Sequence, residues 1–114
     1  MWGILPTLYL GINMPNTEAI VSAKIKTNLK EPPLYRVIYI NDNSTTMEFV
    51  VGSLIEFFDY NIETAEQLAN LIHETGAATV AVLPYEIAEQ KGVEVTVSAR
   101  ANNFPLQIKL EPED

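Results

Sequence analysis

The chain has no cysteine and a single histidine, His73. Without cysteine there is no disulfide framework, no thiol nucleophile and no cysteine-based zinc site. One histidine rules out a multi-histidine metal centre. Basic residues are also scarce: 7 Lys and Arg stand against 15 Asp and Glu, giving a net charge of −8. A surface of that sign repels phosphate backbones and argues against nucleic acid as a partner. No apolar run approaches the roughly 20 residues of a membrane-spanning helix, which argues against a membrane as well. What is present is ordinary. The 114 residues are 47% hydrophobic and 19% charged, enough for one domain with a modest core and a short extra segment. The cytoplasm or a plastid stroma is the expected compartment for such a chain.

The charge is unevenly placed. Residues 1–33 carry +1, and the remainder from Leu34 carries −9. The pair Pro32-Pro33 at that boundary stops any helix. The first 33 residues hold Pro6, Pro15 and scattered polar residues without a sustained period. They read as a flexible, disordered N-terminal arm, with the folded domain running from 34 to 114. The apolar opening from Met1 to Ile12 lacks a basic start and is interrupted by Pro6 and Gly11, unlike a signal peptide. Both Met1 and Met14 remain open as the native start.

Within the folded part, Leu34 to Ile40 is rich in β-branched and aromatic residues and reads as a strand. Asn41 to Ser44 is a turn cluster. Thr45-Thr-Met-Glu48 fits a capping box, with Thr45 as N-cap and Glu48 reaching back. Val50, Val51, Leu54, Phe57 and Phe58 then follow at helical spacing. Asp59-Tyr-Asn61 breaks that helix and caps the next, whose apolar face holds Ala65, Leu68, Ala69, Leu71 and Ile72. Gly76 sits where a left-handed C-cap belongs. Ala77 to Leu83 reads as a second strand ended by Pro84, and Pro105 to Leu110 alternates as a third. Between them the pattern is undecided. Val93-Glu-Val-Thr-Val97 alternates like a strand, yet Ala88, Lys91/Gly92, Val95 and Ala99 recur at helical spacing.

Few residues could carry chemistry. Asp42 and His73 offer an acid–base pair, with Ser44 or Thr45 as nucleophile. The plainer reading weighs more. Asn and Asp after a strand form turns, Thr45 caps, and a histidine at a helix C-terminus complements the dipole. No cofactor and no metal is expected from these residues.

The string Tyr35-Arg-Val-Ile-Tyr-Ile-Asn41-Asp-Asn-Ser-Thr-Thr-Met47-Glu-Phe-Val50 resembles the opening of the ClpS family, adaptors of the Clp AAA+ proteases. The likeness continues through Phe57-Phe58, Ala65, Ile72-His73 with Gly76, Glu86-Ile-Ala-Glu-x-Lys91, and Ala99-Arg with Pro105-Leu106. It runs from Leu34 to the C-terminus almost without gaps. The resemblance implies an α+β fold of order β-α-α-β-α-β, a three-stranded antiparallel sheet with three helices against it. It also implies a helix from about Tyr85 to Asn102, against the strand-like alternation there.

The implied function is non-enzymatic: capture of N-degron substrates, which carry a free α-amino group on a bulky hydrophobic first residue. An ammonium has three donors to satisfy. By position match, Asn41 supplies an amide oxygen, Asp42 a carboxylate and neutral His73 a ring nitrogen, the last directly or through water. Each charge-assisted contact is worth roughly 1.5–3 kcal/mol, and burying a Leu or Phe side chain adds about 1.5–3 kcal/mol. Together they reach the micromolar range before ordering costs. Thr45, Met47, Val50, Ala69, Ile72 and Leu106 match the walls of the hydrophobic pocket, with Met47 as gatekeeper against β-branched residues.

The sequence departs from the family pattern at some of these points. Ala69 stands where many bacterial members have methionine, and Ile72 replaces the commoner valine. Asn43 and Ser44 replace an acidic and usually an aromatic residue, and Thr46 replaces proline. A roomier pocket follows, for Leu, Phe, Tyr and Trp with room for Ile or Val. Glu86 and Lys91 match positions that dock the N-terminal domain of a ClpA- or ClpC-type AAA+ unfoldase. Two rivals stand beside this reading. One is an interaction domain resembling the C-terminal domain of the ribosomal stalk protein, without degron binding. The other is a small hydrolase built on Asp42 and His73, for which no oxyanion motif is present.

Overall fold

In the computed structural model the described residues are 32–114. The expectations for a flexible arm and for the start residue fall on residues 1–31, outside that range. Six elements follow in order: β1 (Leu34–Ile40), α1 (Met47–Phe58), α2 (Ile62–Thr75), β2 (Ala77–Pro84), α3 (Tyr85–Ala101) and β3 (Gln107–Pro112). The sheet has strand order β2-β1-β3, and β1 is antiparallel to both neighbours. This is the expected α+β arrangement of three strands and three helices.

The central strand alternates. Val37 and Tyr39 are buried on one face, which packs against the helices. Arg36 points the other way and meets its cross-strand partner Glu111 in an ion pair of 2.9 Å. A bulge opposite Val37 and Ile38 leaves Val80 of β2 unpaired in the register, and that extra residue is buried. The Tyr60 hydroxyl donates to the Val80 carbonyl, so the bulge is anchored to the loop between α1 and α2.

A buried polar chain joins sheet to helix. The Ser53 hydroxyl donates to the Val50 carbonyl at 2.8 Å, which leaves its oxygen to accept from the Tyr39 hydroxyl at 2.8 Å. Burial pushes the Tyr39 phenol well above its usual value, against the lowering effect of Ser53. The pair stays uncharged, and both hydroxyls are satisfied in the core.

Two elements differ from the sequence reading. The N-cap of α1 is Thr46, whose side chain accepts from the Phe49 amide at 3.1 Å. Thr45 is not the cap, because both its amide and its hydroxyl are taken by Asp42. The cap passes one residue on, and the Thr45–Glu48 box does not form. The third strand begins at Gln107 rather than Pro105. Residues 103–106 are a connector: Asn103 is left-handed at φ 65°, the Phe104 amide donates to Ala99, and Arg100 holds the Phe104 and Leu106 carbonyls.

The undecided stretch is helical, as the family resemblance implied. Ala88, Gly92, Val95 and Ala99 are the buried stripe of α3, while Val93 and Val97 lie exposed. Tertiary packing of the small-residue stripe on the sheet outweighs the β-like alternation. The expected caps of α2 are present: Asn61 accepts from the Thr64 amide at 2.8 Å, and Gly76 closes the helix at φ 92°.

Candidate functional site

One backbone contact sets the site. The Asn41 amide, just past β1, donates to the Gly76 carbonyl at 2.9 Å. It ties the loop after β1 to the end of α2, and so brings residues 35 positions apart in the chain to one place. Gly76 is suited to this role because its positive φ carries almost no cost without a Cβ.

The loop is then shaped by Asp42. Its Oδ1 accepts from the Ser44 and Thr45 amides, and its Oδ2 accepts from the Thr45 hydroxyl, each at 2.7 Å. A carboxylate has about four lone-pair sites, so one stays open. Burial alone would raise the Asp42 carboxyl. The bonds from Thr45 and Ser44 and the charge of Arg100 outweigh it and hold the group below its ordinary value. Asp42 is therefore a fixed, ionised carboxylate at neutral pH.

A cavity of about 260 Å³ opens between this loop, α1 and α2. Its apolar lining is Met47, Val50, Ala69 and Ile72; its polar lining is Asn41, Asp42, Asn43, Thr45 and His73. Met47 and Val50 lie three apart on α1, and Ala69, Ile72 and His73 lie three and four apart on α2, so each set shares one helix face. Val50, Ala69 and Ile72 are buried, while Met47 stands 39% exposed at the rim and His73 is exposed. The result is a greasy floor under a polar mouth. Drug-sized ligands usually need pockets of about 300–1,000 Å³, so this volume suits one side chain and a small head group. Among the described residues no His, Asp and Glu cluster able to hold a metal is found, and no helix is long and apolar enough to cross a membrane.

Eight of the nine residues expected at the pocket line this one cavity. Leu106 does not: it is buried in the same core cluster as Val50, Ala69 and Ile72, and its side chain is not part of the lining. The physical reason is the connector, where Arg100 fixes the Leu106 carbonyl at 2.9 Å while the side chain turns into the core. Two contributors went unassigned in the sequence. Asn43 lines the mouth beside Asp42, and Arg100 acts on Asp42 through its charge. Adjacency in the turn could have suggested Asn43; nothing local could have suggested Arg100. Glu86 and Lys91 lie on α3, away from the cavity lining. Glu86 is exposed, and Lys91 sits 4.0 Å from Glu94.

The family model for ATP-dependent Clp protease adaptor protein ClpS matches residues 30–109. The chain belongs to the ClpS family. ClpS proteins are adaptors of the Clp protease and not enzymes, which removes the hydrolase reading. A ClpS adapter of Treponema denticola is 48% identical over 81 residues, covering 71% of this chain and 80% of that protein. One from Myxococcus xanthus is 39% identical over 99 residues, covering 87% and 92%. Among solved structures, Agrobacterium tumefaciens ClpS2 bound to L-phenylalaninamide is similar at 36% identity and a TM-score of 0.71, covering 73% of this chain and 100% of that one.

The depressed Asp42 carboxyl has a consequence for stability. A folded-state value below the unfolded one contributes stability that is fully present above the unfolded value, near pH 4, and is lost as pH falls through the folded value. Asp42→Asn is expected to lower the urea midpoint near neutral pH, with the gap to the wild-type chain narrowing as the pH falls below about 4. A gap that stays constant across that range would show that the carboxylate charge is not what holds the turn.

Proposed function

We infer that this ClpS adaptor binds the free α-amino group and the bulky hydrophobic first side chain of N-degron substrates, and delivers them to a ClpA- or ClpC-type AAA+ unfoldase. The observation that carries the reading is the division of one small cavity into a buried apolar floor and a mouth of acceptors. A first residue presents the same division. Its α-ammonium needs acceptors within a few ångströms of an apolar side chain, whereas the backbone nitrogen of an internal residue is an amide with a single donor and no charge.

In this reading the ammonium sits at the mouth. Asn41 offers its amide oxygen, Asp42 its remaining lone pair and its charge, and His73 a ring nitrogen of the neutral imidazole. The first side chain descends past Met47 onto Val50, Ala69 and Ile72, with Thr45 closing one side; Leu106 backs the floor through the core. The phenylalaninamide bound to the similar Agrobacterium ClpS2 pairs an α-amino group with an aromatic side chain, which supports this class of ligand. Preferred first residues are Leu, Phe, Tyr and Trp, with Ile and Val admitted because Ala69 leaves the floor open. Docking of the unfoldase N-terminal domain falls to Glu86 and Lys91 on α3, so that capture and delivery use separate surfaces.

Fluorescence anisotropy with a labelled Phe-initiated peptide tests the capture step. N-acetylation is expected to weaken binding roughly a hundredfold or more, and Asn41→Ala about ten- to a hundredfold, from the loss of charge-assisted bonds. Equal binding of free and acetylated peptides would sink the reading. Ala69→Met, which fills part of the floor, is expected to reorder the first-residue ranking by about tenfold for the bulkiest side chains; an unchanged ranking would remove the role given to Ala69. Charge reversal at Glu86 or Lys91 is expected to leave peptide affinity intact and to weaken association with the unfoldase by several-fold, on the order of a lost exposed or interfacial ion pair. Coordinate loss of both activities, or of neither, would count against separate surfaces.

A further inference from the structure

The outer side of α3 carries a strip that the first-residue cavity does not use. Val93 is 56% and Val97 62% exposed. With Gly92, Thr96, Ile108 and Leu110 they line a groove of about 280 Å³ between α3 and β3, and Glu89 stands in the same lining. Past Thr96 and Ile108 the groove runs on into a depression that holds Arg100. β3 is an edge strand, and α3 lies close on it at Gly92, where a Cβ would come to 3.5 Å from the Ile108 side chain. The strip therefore sits at the edge of the sheet. Among the described residues neither Glu89 nor Arg100 forms an ion pair.

The spacing along the strip is regular. Glu89, Val93, Thr96 and Arg100 recur at intervals of four, three and four, the rhythm of a helix–helix seam. The two charges are of opposite sign and lie at equal distances from the midpoint between residues 94 and 95. We propose that this strip is a self-association surface, on which a second copy of the chain docks with α3 antiparallel to α3 about a twofold axis. A twofold interface has to be complementary to itself. Reversal about the midpoint meets that demand: Glu89 of each copy faces Arg100 of the other, and Val93 and Val97 of both copies gather between the two ion pairs. A parallel pairing would instead set like charges side by side. The seam is short, about 16 Å from Glu89 to Arg100 at 1.5 Å per residue. So small a contact gives a transient dimer. The net charge of −8 on each copy opposes approach, and about 0.15 M salt, with a screening length of about 8 Å, removes most of that opposition. None of the strip residues lines the first-residue cavity, so this inference stands apart from the ligand reading.

Sedimentation of the full chain from about 10 μM to 1 mM, in about 0.15 M salt, tests the surface. A reversible dimer is expected, with a dissociation constant of about 50–500 μM. Glu89→Arg and Val93→Asp are each expected to weaken it at least about tenfold, with circular dichroism and the thermal midpoint close to those of the wild-type chain because both positions are exposed. The chain has no cysteine, so single cysteines report the register. Val93→Cys brings two thiols near the axis and is expected to give a disulfide-linked dimer on mild oxidation. Glu89→Cys stands about 16 Å along the seam from its own counterpart, beyond the reach of a disulfide, and is expected to stay unlinked. A chain that remains monomeric at 1 mM would overturn the proposal, as would a dimer indifferent to both Glu89→Arg and Val93→Asp. Linking through Glu89→Cys as efficient as through Val93→Cys would overturn the antiparallel register. A monomer whose Val93→Asp variant loses association with the N-terminal domain of a Clp unfoldase would give the strip to that partner and reject the second copy.

Discussion

The hydrogen bond from the Asn41 amide to the Gly76 carbonyl is the constraint on which the site depends. It joins the exit of the central strand to the end of α2, so the turn that holds Asn41 and Asp42 lines one cavity with His73. Gly76 serves both partners. Its left-handed backbone ends the helix, and the same peptide geometry aims the carbonyl at the strand exit. Without that closure the floor residues on α1 and α2 would still be buried by the sheet. The polar mouth would have no fixed position above them.

Asp42 serves the fold and, in the proposed reading, the ligand as well. Three of its hydrogen bonds organise residues 42–45, displace the helix cap from Thr45 to Thr46 and thereby set where Met47 begins α1. The same bonds keep the carboxyl ionised and spend most of its accepting capacity internally. In the proposed reading a ligand ammonium meets a preorganised charge with one open lone pair. That arrangement favours a small cation at a fixed point over loose ion pairing. The buried chain from Tyr39 through Ser53 to the Val50 carbonyl does the complementary work beneath, holding the first turns of α1 against the sheet. Mouth and floor are thus fastened by different sets of bonds. Substitutions in one need not disturb the other.

Much of this was legible in the linear order. The first strand, the caps at Asn61 and Gly76 and the apolar faces of α1 and α2 follow from residue types whose local preferences agree with their packing. Reading failed where a side chain answered to something distant. Thr45 looks like a cap until Asp42 claims both of its donors. Pro105 and Leu106 look like strand until Arg100 holds the connector carbonyls. Val93 to Val97 alternates like a strand, but the stripe at 88, 92, 95 and 99 is what meets the sheet, and burial of that stripe decides the matter. The resemblance to ClpS anticipated that helix where periodicity left it undecided.

By itself the sequence determined the first strand, the first two helices and the absence of thiol chemistry, because these rest on composition and on contacts within a few positions; the third helix and the residues expected at the pocket came from the resemblance to ClpS. Only the tertiary structure decided that Leu106 turns away from the cavity, that Arg100 tunes Asp42, and that α3 and β3 frame an apolar groove at the edge of the sheet. Each of those depends on groups brought together from separate elements, and a one-dimensional pattern carries no record of the distance between them.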